Sequence, residues 1–217
     1  DFKNTKKSEI SIVNYMEPIP TPKTKVWRAH KLSILLSKYG YKCEYYTSSF
    51  NHYDKNYYRS INSKEDNKRS YSIYTCWATS YKENRSALRL ISNIIFSFSL
   101  FIKVCKSSSN LWILSYPHSY SIIALVLAKY FNNKISLIVD IRDSPFIPQS
   151  SIATNTFNLI EKNLLFYWIP RVDKFIGSGA NIYKYFPKSL RSIILKKYTF
   201  IPTPADKGFS SNLGKRK

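Results

Sequence analysis

A chain of 217 residues with 44% hydrophobic content is long enough for one large domain with its own core, and too apolar for a disordered chain. Five glycines argue against propellers and collagen-like repeats. The excess of 34 Lys and Arg over 13 Asp and Glu gives a formal charge of +21 and an attraction for polyanions, yet no zinc-finger spacing, ribonucleoprotein motif or basic zipper accompanies it, which argues against nucleic acid as the partner.

From the N-terminus, Asp1 to Glu9 is polar and carries no signal-peptide core. Residues 1–9 are expected to be a tail, in a chain that starts without an initiator Met and is read as trimmed or partial. Ile10 to Tyr15, a short β-branched run, predicts a first strand. Glu17 to Lys25 holds three prolines and predicts a loop. Lys25 to Tyr39 predicts an amphipathic helix with Ala29, Leu32, Leu35, Leu36 and Tyr39 on one face, closed by Gly40. Lys42 to Ser48 predicts a second strand, Phe50 to Lys68 a long Tyr-rich loop, and Tyr71 to Thr79 a third strand. In Ser86 to Val104, residues Leu88, Ile91, Ile95, Phe98 and Ile102 recur at spacings of three and four, the period of a helix face. Leu111 to Ser115 predicts the fourth strand, Tyr120 to Phe131 a helix, and Ile135 to Asp140 the fifth strand. Thr156 to Trp168 predicts a helix ended by Pro170. Lys174 to Gly177 predicts the sixth strand, Ala180 to Phe186 a short helix, and Tyr198 to Ile201 a seventh strand.

Strands alternate with helices along nearly the whole length. That alternation predicts βαβ units, a mostly parallel sheet and a Rossmann-like three-layer α/β sandwich over residues 10–205, followed by a basic tail at 206–217. Neither GxGxxG nor GxxxxGK[ST] is present, which argues against a nicotinamide dehydrogenase and a P-loop NTPase. The uncharged run Leu111 to Ala128 has the length of a membrane span, but Ser115-Tyr116-Pro117-His118-Ser119 in its middle reads as strand, turn and helix. Leu90 to Ile102 is uncharged and too short to span. Cys43, Cys76 and Cys105 are odd in number and far apart, so a reducing cytosol is expected.

The segment with most chemistry runs from Lys134 to Phe146. Its apolar run delivers Asp140, Arg142 and Asp143 to a strand end, and Pro145 and Pro148 stop the strand. Ligands of open α/β sheets bind beyond the carboxyl ends of strands, and charges crowded there must pair or meet a ligand.

Several motifs, in order, resemble the N-terminal, acceptor-binding domain of family 4 retaining glycosyltransferases of the GT-B fold, in a fucosamine-transferase-like branch. They are Trp27-Arg28, Leu36 to Tyr41, Thr47 to His52, Asn84-Arg85, Ser115 to His118, Asp140 to Asp143, Glu161, Val172 to Lys174, and Phe200 to Pro202. The resemblance covers about residues 10 to 209. It implies transfer of a sugar from a nucleotide-sugar donor to a saccharide or polyprenyl-linked acceptor in bacterial surface-polysaccharide synthesis. It further implies a separate C-terminal domain holding the donor, no metal or other cofactor, and a cytoplasmic place at the inner face of the cell membrane. Two alternatives stay open: a non-catalytic partner domain of the same fold, or half of a split transferase completed in trans. Three departures bear on catalysis. Pro20 to Lys25 replaces a Gly-Gly turn and leaves phosphate contact to Lys23, Lys25 or Arg28. The usual R-D-x-W-P reads Arg142-Asp143-Ser144-Pro145, and P-N-G reads Pro202-Thr203-Pro204.

The candidate catalytic residues are therefore Asp140, Arg142, Asp143 and His118. Arg142 suits a phosphate, and Asp140 or Asp143 an acceptor hydroxyl or its proton; the structural alternative is an Arg–Asp pair that orders the loop. His118 stands at a strand-to-helix turn, where it could equally cap the helix. The candidate substrate-binding residues are Arg28, His52, Lys25 and Glu161, against plain surface roles for each. Phe50, Tyr53, Tyr57 and Tyr58, with Lys55 and Arg59, suit either an anionic membrane interface or a solvent loop.

Overall fold

The computed structural model describes residues 8–20, 26–58, 70–84, 86–142 and 152–201, with side chains in the helix that begins at Ile152 described from Leu159 onward. The strands are β1 (Glu9–Val13), β2 (Lys42–Ser48), β3 (Phe50–Asn51), β4 (Asn56–Tyr57), β5 (Ser72–Cys76), β6 (Leu111–Tyr116), β7 (Ser136–Ile141), β8 (Lys174–Gly177) and β9 (Tyr198–Phe200). The helices are α1 (Arg28–Lys38), α2 (Ala87–Lys106), α3 (Ser119–Phe131), α4 (Ile152–Trp168) and α5 (Lys188–Lys197), with 3-10 turns at Ile169–Arg171 and Ile182–Tyr185.

Seven strands form one sheet in the order β5-β2-β1-β6-β7-β8-β9, and every described pairing in it is parallel. The chain builds outward from β1 to β5. It then returns along α2 to β6 on the other side of β1 and builds outward again. The strand order thus reverses between β1 and β6, where the carboxyl ends open a crevice. The α/β Rossmann-like sandwich expected from the alternation is the fold observed.

Strands buried on both faces need apolar residues at successive positions. In β6, Trp112, Leu114 and Tyr116 enter the core shared with α2, α3 and α4, while Ile113 enters the core beneath α1. Gly177 marks a close approach: a Cβ there would lie 2.9 Å from the Ile141 carbonyl oxygen and from the Tyr198 hydroxyl. Gly40 takes φ of 88° just past α1, the left-handed C-terminal position expected of it.

Several elements differ from expectation. The expected loop after Phe50 begins with the short antiparallel β3–β4 hairpin. Phe50 is buried and Tyr58 is half-buried, its hydroxyl accepting from the Ile19 amide at 3.2 Å; of the four aromatics proposed for a membrane loop, only Tyr53 and Tyr57 are exposed. Arg59 lies outside the described residues. The third strand ends at Cys76 rather than Thr79, and the short helix expected at 180–186 is a single 3-10 turn. Helix α5 was not expected. Its flanks are lysines; Leu190 and Ile194 are buried in the core and Ile193 packs half-buried against it.

Two helices turn differently from their apolar pattern. In α1 the buried residues are Ala29, His30 and Ser33, while Leu35 and Tyr39 face solvent. In α2 the buried face comprises Ser92, Asn93, Phe96, Ser97, Leu100 and Val104. Leu88, Ile91, Phe98 and Ile102, the stripe that identified the helix, point outward. At 20 residues α2 is long and apolar enough to cross a membrane, but its inner face is packed in the domain.

Candidate functional site

At the end of β1, Asn14 folds the chain into an Asx turn, its Oδ1 accepting from the amides of Met16 and Glu17 at 3.0 Å. The turn directs Glu17 beneath the start of α1. Helix α1 has Trp27 at its N-cap, with no side-chain cap of its own. Glu17 supplies the missing acceptor: its Oε2 receives the Ala29 amide at 3.1 Å, where the helix dipole favours a negative charge.

From Glu17 an ion chain crosses the rim. Its Oε1 accepts from Arg142 Nη1. Arg142 Nε donates to Asp140 Oδ2 at 3.2 Å, and Arg28 grips the same carboxylate with Nε to Oδ2 at 3.3 Å and Nη2 to Oδ1 at 3.4 Å. The two carboxylate side chains are only 4% and 5% exposed, whereas the side chains of Arg28 and Arg142 are 29% and 21% exposed. The buried charges are therefore cancelled in pairs, with the arginine side chains the more exposed members. Burial works against the Arg142 charge, but Glu17 and Asp140 outweigh it and raise its pKa above the usual value. Tyr198 lies beside this group; burial foremost, then Asp140, raises its phenol.

On the α2 side of the same crevice the side chains are aromatic. Tyr15 stacks on His118 with ring centres 4.4 Å apart, meets Phe96 edge-on at 4.8 Å, and shares a hydrogen bond with Ser92 at 3.3 Å. His118 is the N-cap residue of α3, following a cis Tyr116–Pro117 bond; its Nδ1 pairs with the Ser121 hydroxyl, and its buried Nε2 has no hydrogen-bond partner among the described residues. Burial, helped by Arg89, lowers its pKa to about 3. His52, in the β3–β4 hairpin, pairs through Nδ1 with the Tyr81 hydroxyl, and burial with Arg89 and Lys55 lowers it to about 4. Burial and then Tyr15 hold the Tyr81 phenol well above its usual range. A cleft of about 580 Å³ beside Tyr81 is lined by Lys55, Lys82, Ser86 and Leu88 among others, and does not include the ion chain. Tyr53 of the hairpin stacks on Trp27, so the hairpin touches both sides of the rim.

Parallel pairing of β6 with β7, in register Ser115↔Asp140, brings the His118 turn and Asp140–Arg142 to one edge of the sheet. Asp140, Arg142 and Arg28 are in direct contact. His118 and His52 stand across the rim from them, linked through Tyr15 and Tyr81. Glu161 is buried behind the Tyr116–Ser119 turn, accepting from the hydroxyls of Tyr116, at 3.0 Å, and Ser119; burial raises its pKa. Asp143 and Lys25 lie outside the described residues. Sequence reasoning missed Glu17, Tyr15, Tyr81 and Arg89. The one available signal was a carboxylate just past a strand end, among prolines, in a chain poor in acids. Among the described residues no three His, Cys, Asp or Glu side chains converge as a metal cluster would.

No family model matches the sequence, and no curated protein matches it. Solved structures do. The glycotransferase of kitacinnamycin aligns at 10% identity and a TM-score of 0.50 over 94% of this chain and 53% of its own. UGT2 of Phytolacca americana, solved with UDP-2-fluoro-glucose and pterostilbene, aligns at 8% identity and a TM-score of 0.49 over 99% of this chain and 58% of its own. The chain thus spans about half the length of either structure, and what it shares with the first is the fold: the Rossmann-like α/β layout of a GT-B glycosyltransferase half.

Proposed function

We propose that this domain is the acceptor-binding half of a retaining glycosyltransferase of the family 4 type. Its nucleotide-sugar donor is held by a C-terminal domain, and its acceptor is a saccharide, polyprenyl-linked, in bacterial surface-polysaccharide synthesis at the cytoplasmic face of the membrane. The observation that carries the reading is the pair of partly exposed arginines, Arg28 and Arg142, anchored on buried carboxylates at the crevice where strand order reverses. A guanidinium held in place from behind meets a phosphate bidentately with little further loss of freedom. In this reading the two arginines hold the phosphate of the donor or of the lipid-linked acceptor. Asp140 positions both of them; with each oxygen occupied by a guanidinium, it is poorly placed to take an acceptor proton. Asp143 remains the candidate for orienting the acceptor hydroxyl. His118, held neutral, lines the acceptor side with Tyr15, and no metal is required.

Titration of the 217-residue chain with inorganic pyrophosphate and UDP, followed by calorimetry, tests the arginine site. The expected result is weak binding that Arg28→Met and Arg142→Lys each lower several-fold. Unchanged binding in both variants would remove the arginines from the site. The chain alone is expected to turn over neither UDP-glucose nor GDP-mannose, and turnover would place the donor site within these residues.

A further inference from the structure

Helix α2 is turned inside out. Its buried face holds Ser92, Asn93 and Ser97 beside Phe96, Leu100 and Val104. Its outer face exposes Leu88 at 57%, Ile91 at 46%, Ile94 at 51%, Phe98 at 66% and Ile102 at 39%. Water-facing helices carry polar outer stripes, and a contiguous apolar stripe on a surface marks a contact. At 1.5 Å per residue the helix is roughly 30 Å long, and the stripe follows most of it. It broadens at its far end, where Phe131 of α3, 79% exposed, meets Phe101 edge-on.

The charge around this stripe is mainly positive. From Ala87 to Phe131 there is no Asp or Glu; Lys103 and Lys106 flank the stripe, Lys82 and Glu83 lie side by side just before the helix, Lys129 is paired with Asp173, and Arg89 faces the rim. An apolar stripe in a cationic frame complements an anionic bilayer, whose headgroups meet the lysines while the acyl boundary receives the side chains. A second copy of the chain would bring +21 against +21 and basic frame against basic frame. Nucleic acid would satisfy the lysines but leave the stripe in water.

We infer that the outer face of α2, widened by the end of α3, is a docking surface on which the protein lies against an anionic lipid bilayer. The helix rests in the interface and does not span it, because its inner face belongs to the core. The surface is distinct from the Tyr53–Tyr57 hairpin, and the inference rests on burial and charge, so it stands or falls apart from glycosyl transfer.

The test is co-sedimentation of the 217-residue chain with phosphatidylcholine vesicles, with and without about a third phosphatidylglycerol. Binding to the anionic vesicles is expected, falling about tenfold in Ile94→Glu/Phe98→Glu and several-fold in Lys103→Gln/Lys106→Gln. Both pairs lie outside the buried face, so circular dichroism should be unchanged; Phe98→Ser, a milder change, should give an intermediate loss if the double variant is poorly folded. Equal binding by the stripe variants, or equal binding to uncharged vesicles, overturns the inference. So does a dimer in sedimentation velocity that Ile94→Glu/Phe98→Glu dissociates, which would assign the stripe to a second copy.

Discussion

On the α1 side of the rim, two carboxylates and two guanidiniums pair off in salt bridges. On the α2 side, two imidazoles are held neutral and stack among tyrosines. Both arrangements bury polar groups at a strand-order reversal, but by opposite means. A buried ion survives only with its counter-ion and hydrogen bonds in place, so Glu17, Arg142, Asp140 and Arg28 form a chain in which each inner member depends on two neighbours. A buried imidazole avoids that cost by releasing its proton, as His118 and His52 do. The first side presents positive charge; the second keeps its imidazoles neutral in the folded protein at the cost of stability as pH falls below about 6.5.

The sharpest way to break the comparison is Arg142→Ala, which leaves buried Glu17 with no cation and Asp140 with Arg28 alone. It should cost about 3–5 kcal/mol in urea denaturation. Catalytic tests at this position therefore need Arg142→Lys, since truncation would confound activity with folding. Glu161→Ala leaves the hydroxyls of Tyr116 and Ser119 without their acceptor and should cost about 1–3 kcal/mol, with Glu161→Gln recovering part of it. The α2 side is probed through pH. His118 binds its proton at about 3 when folded. Unfolded, it does so near the ordinary imidazole value of about 6.5. Between those values the unfolded chain holds the extra proton, so this contribution is complete above the upper value and is lost as pH falls toward the lower one. His118→Phe should remove that slope, narrowing the stability drop from pH 7 to about pH 5 by about 2 kcal/mol. An unchanged profile would mean that His118 is charged in the folded protein. The smallest effect belongs to Arg28→Ala: Asp140 keeps Arg142, so the loss should be about 1 kcal/mol, and a loss equal to that of Arg142→Ala would mean the chain of ions has no hierarchy.

Much of the rim was legible residue by residue. The run into Asp140 and Arg142, stopped by prolines, marked a strand end carrying charge, and the Ser115–His118 turn marked the neighbouring one. Their meeting required only that β6 and β7 be parallel and adjacent, which the crossover pattern implies. Glu17 was not legible as a partner, because it meets Arg142 across a separation of 125 residues and no local pattern encodes that contact. The Tyr81–His52 pair was hidden in the same way, since the hairpin that delivers His52 has strands of two residues.

Periodicity and punctuation were enough to determine the alternation of strands and helices, the parallel sheet and the carboxyl-end location of the charged segment, because those features arise from neighbours along the chain. Which way α1 and α2 turn their faces, which ions close into a chain, and which histidines lose their protons were decided only by the folded structure. A repeat of apolar residues specifies that a helix has a face, but burial depends on what packs against it, and the sheet and α3 took Ser92, Phe96 and Leu100 while leaving Leu88 to Ile102 outside.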